Sequence, residues 1–564
     1  ANPAVVVHKD YYSVFPPDVN AVFDHGKRAV SSFPIATGVY YKQDYSSGVD
    51  ISKYKNIPVP TSYMAINSKY DFVGGYEENV EAGLLHVADH HVSPGKKQWT
   101  WGNGDFGKAW DRNLTDEDGP YIELMTGMYT DNQPDFTWLQ PYEEKSWVQY
   151  FMPYSEVGYV KNATKDALLN LEIKEGKARL VLYTTGVNSG VRIIVKAIKG
   201  TVLLDNTTQI SPSEPFITTF AAEGLKEEEE GQILLSYQAD KPEIKPVPDP
   251  AKAAKDPQDI ASVEQLFLTG LHLEQYRHAT YNPMDYYMEA LRREPGDVRC
   301  NNAVGLLLMR KGQFAMAESY FRKAVETLTE RNPNPYDGEP YYNWGWSCMM
   351  QQKWDEAYDA FFKSAWNAAW QDAAYYALAQ LDTRKGKYES ALDKIDRSLI
   401  RNWHNHKARQ LKISILRKLG RKEEALALVA ESLQIDRFNM GCRFEHYLLT
   451  RDVEVLEEMK KLMRGWAHGY IEYALDFAAA GLYEEALSLL ECYVTGVTEV
   501  YPVVYYTMGY FHTCKGDESK ALEYYQRAEK ENHSYCFPNR IEEVLILQDA
   551  VRLNIHGAKA AYSL

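Results

Sequence analysis

Cysteine is scarce in this sequence, and the cysteines that do occur form no recognisable motif. The chain of 564 residues has six of them, all in its second half. None of them has the C-x-x-C spacing of a zinc or redox site. We therefore expect buried free thiols and no disulfide framework. Free thiols favour a cytoplasmic over a periplasmic location.

Long hydrophobic runs and an excess of positive charge are also missing. No run of about 20 apolar residues could cross a membrane, and residues 1–30 lack the pattern of a signal peptide. The net charge of −16 repels phosphate backbones and acidic membrane surfaces. We therefore expect no nucleic-acid partner and no insertion into a membrane. Glycine-rich phosphate loops and the G-x-S-x-G and H-E-x-x-H motifs are absent too, so the sequence predicts no cofactor and argues against nucleotide, protease and esterase functions.

The chain is too long for one hydrophobic core, and its patterning predicts three domains and a linker. Residues 1–162 alternate short extended runs with turn-forming clusters, which predicts an antiparallel β-sandwich. Residues 163–240 show extended runs about ten residues apart, as in a small immunoglobulin-like β-sandwich. Residues 241–260 are rich in proline and charge and predict an extended linker. Residues 261–564 are helical throughout.

The helical region repeats itself at intervals of about 34 to 40 residues. A small residue suits the close crossing of two antiparallel helices, and a large residue one turn later fills the space beside it. Alanines lead the second helix of each repeat: Ala317, Ala357, Ala391, Ala425, Ala486 and Ala521. Three repeats also share a glycine twelve positions before the alanine and a ring four positions after it: Gly305 with Phe321, Gly345 with Phe361, and Gly509 with Tyr525.

These repeats resemble the tetratricopeptide repeat, whose helical pairs stack into a solenoid. The resemblance implies a surface for a protein partner. A clamp on the β-domains of the same chain and a self-association surface are the alternatives. Residues 440–470 keep the helical periodicity but lose the motif, which leaves open a degenerate repeat or a kink in the array.

Aromatic residues make up 13% of the chain, and many stand in polar, glycine-rich stretches. Rings beside acids and amides suit sugar binding, because sugar C–H faces pack on rings while hydroxyl groups bond to polar side chains. The alternative is that a large β-domain simply needs aromatic residues for its core.

One stretch, "GPYIELMTGMYTDNQPDFTWLQPYEEKSW" at residues 119–147, carries a second resemblance. Its Ile122-Glu123 pair, the turn at residues 132–134, Leu139 and the turn at residues 141–143 follow the order of the C-terminal strands of the aldose 1-epimerase (galactose mutarotase-like) superfamily. The resemblance implies a β-supersandwich in which Glu123 is the catalytic base. Because so few residues precede the second β-domain, we expect the N-terminal part of the supersandwich to be missing. The domain order also resembles a bacterial group of proteins tied to polysaccharide utilisation.

A catalytic carboxylate needs a partner, and the best local candidates are Asp89 and His90. A glycosidase holds two carboxyl groups about 5 to 9.5 Å apart, whereas an epimerase needs a base and an acid. His86 and His90 would share one face of an extended strand with His91 on the other, so a metal site would lack its third ligand and we expect none. The predicted substrate-binding residues are Trp99, Trp101, Asp105 and Trp110, which we expect in a loop, together with Asp131, Gln133 and His91.

The sequence therefore predicts a carbohydrate-active protein, in first place a glycoside hydrolase acting on a glycan or glycoside. The alternatives are a non-catalytic carbohydrate-binding or scaffold protein and a sugar epimerase.

Overall fold

The computed structural model describes residues 4–115, 118–128, 145–197, 201–221, 235–237, 246–276 and 279–564. The chain forms two compact units, a β-rich unit made mainly of residues 1–254 and a helical unit made mainly of residues 255–564. Among the described residues, no helix has the length and apolar character needed to cross a membrane.

The β-rich unit consists of short strands and one helix. Within the described residues the strands are β1 Ala4–Val6, β2 Tyr11–Val14, β3 Ala21–Phe23, β4 Val30–Ser32, β5 Ile35–Ala36, β6 Val39–Tyr40, β7 Gln43–Asp44, β8 Val49–Asp50, β9 Thr61–Ala65, β10 Phe72–Glu77, β11 Ala82–Val87, β12 Gly95–Thr100, β13 Tyr121–Gly127, β14 Tyr150–Ser155, β15 Asn162–Ala163, β16 Ala167–Lys174, β17 Lys177–Thr184, β18 Asn188–Lys196, β19 Val202–Ile210 and β20 Phe216–Ala221, and helix α1 spans Asp105–Leu114.

Three main sheets organise these strands, and all their pairings are antiparallel. In the described part of the chain, sheet A has the order β1-β13-β12-β9-β3-β4, sheet B the order β14-β11-β10-β2, and sheet C the order β15-β16-β17-β20. Strands β18 and β19 form a separate ribbon. The prediction of a β-rich N-terminal region is confirmed. Helix α1, between β12 and β13, was not predicted.

Sheets A and B pack face to face, and period-two alternation decides which side chains enter the space between them. On β13, Ile122 and Leu124 are fully buried and contact Val7, Tyr11 and Tyr54. The residues that alternate with Ile122 and Leu124 therefore point to the opposite, outer face of sheet A.

The other face of sheet B packs against sheet C. Asn170 of β16 donates from Nδ2 to the Val157 carbonyl oxygen at 2.8 Å in this contact. The two β-segments predicted from the sequence thus share one hydrophobic cluster. Its buried members are Tyr12, Val14, Phe72, Tyr76, Leu85, Val87, Met152, Tyr154, Val157, Val160, Ala163, Leu168, Val181 and Tyr183.

The helical unit is an array of antiparallel pairs. In its described residues the helices are α2 Val263–Tyr276, α3 Pro283–Arg293, α4 Val298–Arg310, α5 Phe314–Thr329, α6 Glu339–Met350, α7 Trp354–Ser364, α8 Gln371–Arg384, α9 Tyr388–Arg401, α10 His406–Lys418, α11 Lys422–Ile435, α12 Met440–Thr450, α13 Val453–Met463, α14 Ala467–Ala479, α15 Tyr483–Val494, α16 Pro502–Cys514, α17 Glu518–Ala528, α18 Glu542–Leu553 and α19 Lys559–Ser563.

The predicted repeat register is confirmed at the helix crossings. All six repeat alanines named above have 0% exposure. A Cβ atom placed on Gly305 would lie 2.4 Å from the ring of Phe321, and one on Gly345 would lie 2.8 Å from the ring of Phe361. Only hydrogen leaves room for these rings, which explains why the glycine and the ring recur together.

Gly509→Ala is expected to destabilise the helical unit by about 1 to 3 kcal/mol, the usual range for overpacking. The added Cβ atom would lie 2.3 Å from the buried ring of Tyr525. This clash outweighs the gain of up to about 1 kcal/mol that alanine brings to a helix interior. Denaturant unfolding followed by circular dichroism measures the change.

Gly469→Ala is the matched control, because Gly469 also lies inside a helix, and its nearest contact for a new Cβ atom is the flexible end of Met463 at 3.5 Å. This variant should be as stable as the wild type or slightly more stable. Equal losses in both variants would show that the ring contact is not the cause.

The helical array folds back on itself, which the repeat pattern did not predict. Arg384, at the end of α8, donates to Tyr483 Oη at 2.8 Å and to the Ala478 carbonyl oxygen at 2.7 Å. A Cβ atom on Gly312, in the turn after α4, would lie 2.8 Å from Val544 of α18. The turns of the early repeats therefore contact helices and turns of the late repeats.

The reversal lies at the residues where the repeat motif is lost. Helices α12 and α13 are followed by Arg451 and Arg464, both in the left-handed region with φ of 58° and 52°. Left-handed residues end helices sharply. The segment of residues 440–470 is thus a pair of short helices at the bend of the array.

Candidate functional site

The outer face of sheet A carries the predicted base. Glu123 is partly buried and stands between Ala4 of β1 and Trp99 of β12 in the strand register. Tyr121 and Met125 share its face, because both lie two residues away on β13. Glu123 therefore lies on a strand face beside the ring of Trp99.

Three tryptophans and one tyrosine form a continuous surface next to Glu123, which we call the aromatic strip: Trp99, Trp101, Trp110 and Tyr121. The rings of Trp99 and Trp101 are perpendicular with centroids 5.5 Å apart, and those of Trp101 and Trp110 stack at 4.7 Å. Trp101 Nε1 donates to Tyr121 Oη at 3.1 Å. Trp110 is 38% exposed, so the strip offers an accessible ring to solvent.

Two cationic or titratable groups that the sequence did not single out lie beside Glu123. The His25 ring packs edge-on against Trp99 with centroids 5.9 Å apart. Burial, and then the charge of Lys97, lower the pKa of His25, while Asp24 and Glu123 act in the opposite direction. Burial also lowers the pKa of Lys97, which is only 9% exposed. A carboxylate, an imidazole and an ammonium group thus lie close together beside Trp99.

A hydroxyl pair extends this face across the next strand. Ser62 of β9 pairs with Trp99 in the register, and its Oγ lies 2.5 Å from Tyr41 Oη. Burial raises the pKa of Tyr41, so its phenol remains protonated at neutral pH. Ser62 has 0% exposure, so of this pair only the partly buried Tyr41 is within reach of a ligand.

The predicted partners Asp89 and His90 form a second group at the end of sheet B. They lie in the loop after β11, where His90 pairs with Asp71. The loop is tied to sheet A through Ser93 Oγ, which donates to Thr126 Oγ1 at 2.8 Å. Thr126 stands three residues beyond Glu123, or about 10 Å along an extended strand. The structure therefore arranges the predicted catalytic residues as two groups and not as one.

His86 does not belong to either group. It is fully buried between the sheets with its ring against Phe151, at a centroid distance of 4.6 Å. Burial lowers its pKa to about 4, so it is neutral at physiological pH. Strand β11 ends at Val87, so the expectation that His86 and His90 share one strand face is wrong.

The remaining predicted residues fall in different places. Asp105 is exposed at the first position of α1, and Trp110 lies on the same helix, whereas the sequence suggested a loop. His91 is exposed and pairs with Asp89. Asp131 and Gln133 lie outside the described residues.

The helical unit has its own candidate surface. Four successive loops between repeats, from the one after α7 to the one after α13, each expose a large apolar side chain: Trp366 at 61%, Trp403 at 50%, Phe438 at 56% and Trp466 at 65%. We call this row the aromatic edge. Exposed apolar rows of this kind mark protein contacts.

These features define a protein with β-rich N-terminal sheets followed by tetratricopeptide repeats. A model of the tetratricopeptide repeat matches residues 298–327. Such repeats indicate a role in protein–protein interaction, scaffolding or self-association. A model described as a domain of unknown function, DUF5107, matches residues 1–154, and one described as the second domain of YphG-like proteins matches residues 162–242.

Similar solved structures include other repeat proteins. A crystal structure of MamA protein is 19% identical, with 30% of this chain and 90% of that chain covered and a TM-score of 0.27. A tetratricopeptide repeat protein from Parabacteroides merdae is 17% identical, with 46% and 98% covered and a TM-score of 0.29. Yeast Tom70 is 12% identical, with 53% and 65% covered and a TM-score of 0.32.

Proposed function

We propose that the outer face of sheet A binds a saccharide and that Glu123 is the catalytic carboxylate of a carbohydrate-active enzyme. The observation that carries the proposal is the register pair of Glu123 with Trp99, at one end of the aromatic strip. Sugar C–H faces pack on indole rings while a carboxylate bonds to the hydroxyls. A partly buried carboxylate beside such rings is a typical functional position.

In this proposal residues 1–162 form a mutarotase-like β-sandwich, and residues 163–240 are an accessory immunoglobulin-like sandwich. Glycoside hydrolysis is the leading reaction, with Glu123 as base or nucleophile. The repeats, from residue 261 on, dock a protein partner or a second copy of the chain. The aromatic edge supports that role.

One observation favours a sugar epimerase as the second candidate. Glu123 acts electrostatically on His25 and favours its protonated form, which opposes the lowering of the His25 pKa by burial and Lys97. A carboxylate and an imidazole are the base and acid that ring opening of a free sugar requires. A hydrolase would need a second carboxyl group in place of His25.

Glu123→Gln is expected to lower turnover by about 10²- to 10⁴-fold, the usual contribution of a general base or acid. Saccharide binding should persist, because the amide keeps the size and hydrogen-bonding capacity of the side chain. A panel of aryl glycosides measures hydrolysis, and exchange of sugar anomers followed by NMR measures epimerisation. Calorimetry on glycans found to bind measures affinity.

Glu78→Gln is the control, since Glu78 is an exposed carboxylate of the same unit. It should leave turnover and binding unchanged. Full turnover in Glu123→Gln would refute the catalytic role, and glycan binding without any turnover in the wild type would establish the binding protein instead. Loss of binding in Trp110→Ala would locate the saccharide on the aromatic strip.

A further inference from the structure

Two histidines and two aspartates converge in the loop after β11. His90 Nδ1 lies 2.7 Å from Asp71 Oδ1, and His91 Nδ1 lies 2.9 Å from Asp89 Oδ1. The two imidazole rings are neighbours with centroids 3.9 Å apart. One potential ligand atom from each of Asp89, His90 and His91 lies within 4.8 Å of the others. These atoms are close enough for one metal ion to bind all three after small side-chain movements.

The carboxylates determine which ring nitrogens are left for a ligand. A neutral imidazole that donates from Nδ1 keeps its lone pair on Nε2. His90 has the Asp71 carboxylate at Nδ1, so Nε2 is its metal-binding atom. The Asp89 carboxylate lies at Nδ1 of His91, and this exposed pair must open for Asp89 and His91 to bind the same ion. A carboxylate behind a histidine is the usual outer support of a metal ligand, because it fixes the ring and raises the basicity of the nitrogen.

Backbone hydrogen bonds hold the loop in this shape. The backbone N–H of His90 donates to Asp71 Oδ1, and that of His91 donates to Asp89 Oδ1, both at 2.9 Å. The Asp89 carbonyl oxygen accepts from the N–H of Ser93 at 2.8 Å. The backbone is therefore preorganised, while the exposed ends of the side chains can rotate.

The ligands are also accessible from solvent. The side chain of Asp89 is 62% exposed and that of His91 is 77% exposed, whereas His90 is 25% exposed. Small rotations of exposed side chains are enough to reach ligand distances of about 2.0 to 2.2 Å. Three protein ligands leave a fourth position open for water or substrate.

We propose that Asp89, His90 and His91 bind one divalent transition-metal ion, and that Asp71 orients His90 from the outer shell. Two imidazoles and one carboxylate suit Zn²⁺, Co²⁺ or Ni²⁺, because hard Mg²⁺ and Ca²⁺ prefer oxygen ligands. The sequence argument against a metal counted His86 among three histidines and found no third ligand. The structure buries His86 elsewhere and places Asp89 beside the other two. This site does not depend on the proposed saccharide chemistry.

Cobalt titration of the full-length chain tests the site. The protein is stripped with a chelator and titrated with Co²⁺, and the visible absorption is followed before Zn²⁺ is added as a competitor. We expect one saturable site without the near-ultraviolet band of cobalt–thiolate bonding, which separates it from the six cysteines. His90→Ala/His91→Ala should abolish this site. Asp71→Asn should weaken it by about 10- to 100-fold, as loss of an outer-shell support does.

His8→Ala is the matched control. His8 is an exposed histidine 3.4 Å from Asp10, so its replacement removes an ordinary surface acid–histidine pair, and cobalt binding should be unchanged. No saturable site in the wild type, or an unchanged site in the double variant, would overturn the proposal. If the double variant fails to fold, the Asp89→Asn variant tests the proposal in its place. The proposal requires that this variant bind cobalt at least tenfold more weakly while its melting temperature stays unchanged.

Discussion

Arg417→Met is expected to destabilise the helical unit by about 3 to 5 kcal/mol, the usual cost of leaving one partner of a buried ion pair without compensation. Arg417 donates from Nε to Glu445 Oε2 at 2.7 Å and from Nη2 to Glu445 Oε1 at 3.0 Å. The Glu445 side chain has 0% exposure. Among the described residues, only the hydrogen bond from Ser414 would remain to this carboxylate without Arg417.

The same arginine joins helices that are far apart in the sequence. Arg417 Nη2 also donates to Glu485 Oε1 at 3.1 Å, and Lys418 Nζ lies 2.6 Å from that oxygen. Burial acts to raise the pKa of Glu485, but Lys418 and Arg417 outweigh it and lower the pKa. The cluster thus connects α10 with α15 across the fold-back.

Denaturant unfolding at pH 7 measures the loss, and a double-mutant cycle isolates the pair. Arg417→Met/Glu445→Leu should recover a large part of the loss, because no buried charge is left without its partner. Arg421→Met is the control, since Arg421 pairs with the exposed Glu424 on the same helix surface, and it should show no measurable change. A loss in Arg417→Met no larger than that control would contradict the assignment.

The repeat register could be read from the sequence, but the closure of the array could not. Each repeat alanine and its ring lie within about one turn of a helix, so their spacing records a local packing rule. The contact of Arg384 with Tyr483 spans 99 residues. It depends on the accumulated rotation from repeat to repeat, which periodicity does not encode.

Helix α1 shows a local failure of prediction. Glycines around Asp105 suggested a loop, but Gly104 is the residue before the helix, and Asp105 occupies the first turn, where an acid is favourable. Phe106 and Trp110 then share one helix face. The predicted binding role of Trp110 stays a prediction, but the loop predicted around it is a helix, because the four-residue spacing of Phe106 and Trp110 was overlooked.

Part of the candidate site was accessible to sequence reasoning and part was not. Glu123 was proposed from the resemblance of its strand and Trp99 from the polar, ring-rich composition around it, and the strand register places the two side by side. His25 comes next to Trp99 through the pairing of β3 with β9 and of β9 with β12. No sequence motif predicts this pairing. Lys97 could have been predicted from the sequence, because it lies two residues before Trp99 and the period of two in a strand places both side chains on the same face.

The fold-back also bears on where a partner can bind. The turns that contain Gly312 and Arg384 contact the late repeats, so these turns are engaged within the chain. The aromatic edge lies in the loops between repeats, at the opposite ends of the helices. Trp366 at 61% and Trp466 at 65% exposure remain accessible there. The array therefore uses one edge for contacts within the chain, while these rings stay exposed on the other edge.

The stability of the Asp476→Asn variant is expected to increase relative to that of the wild type as the pH rises. Burial raises the pKa of Asp476 to about 6 from its ordinary value of 3.8, although Lys407 at 2.9 Å acts against the shift. A carboxyl group with a raised pKa binds its proton more tightly in the folded chain. Stability is therefore lost as the pH rises from the unfolded pKa through the folded pKa.

The raised pKa of Asp476 predicts that the wild type loses about 1 to 2 kcal/mol of its free energy of unfolding between pH 5 and pH 8, taking 1.36 kcal/mol per pKa unit. Asparagine cannot ionise, so the stability of Asp476→Asn minus that of the wild type should increase by this amount over the range. Subtraction cancels the other titrating groups that the two proteins share. Denaturant unfolding at several pH values gives the curve.

Asp355→Asn is the control for this measurement, because Asp355 is 91% exposed and pairs with Lys385. That ion pair lowers the pKa of Asp355, so its replacement should bring no gain in stability as the pH rises. A flat difference curve for Asp476→Asn would mean that water or Lys407 solvates the carboxylate fully inside the fold-back. A rising curve would mean that closure of the array leaves this charge with less compensation than it has in the unfolded chain.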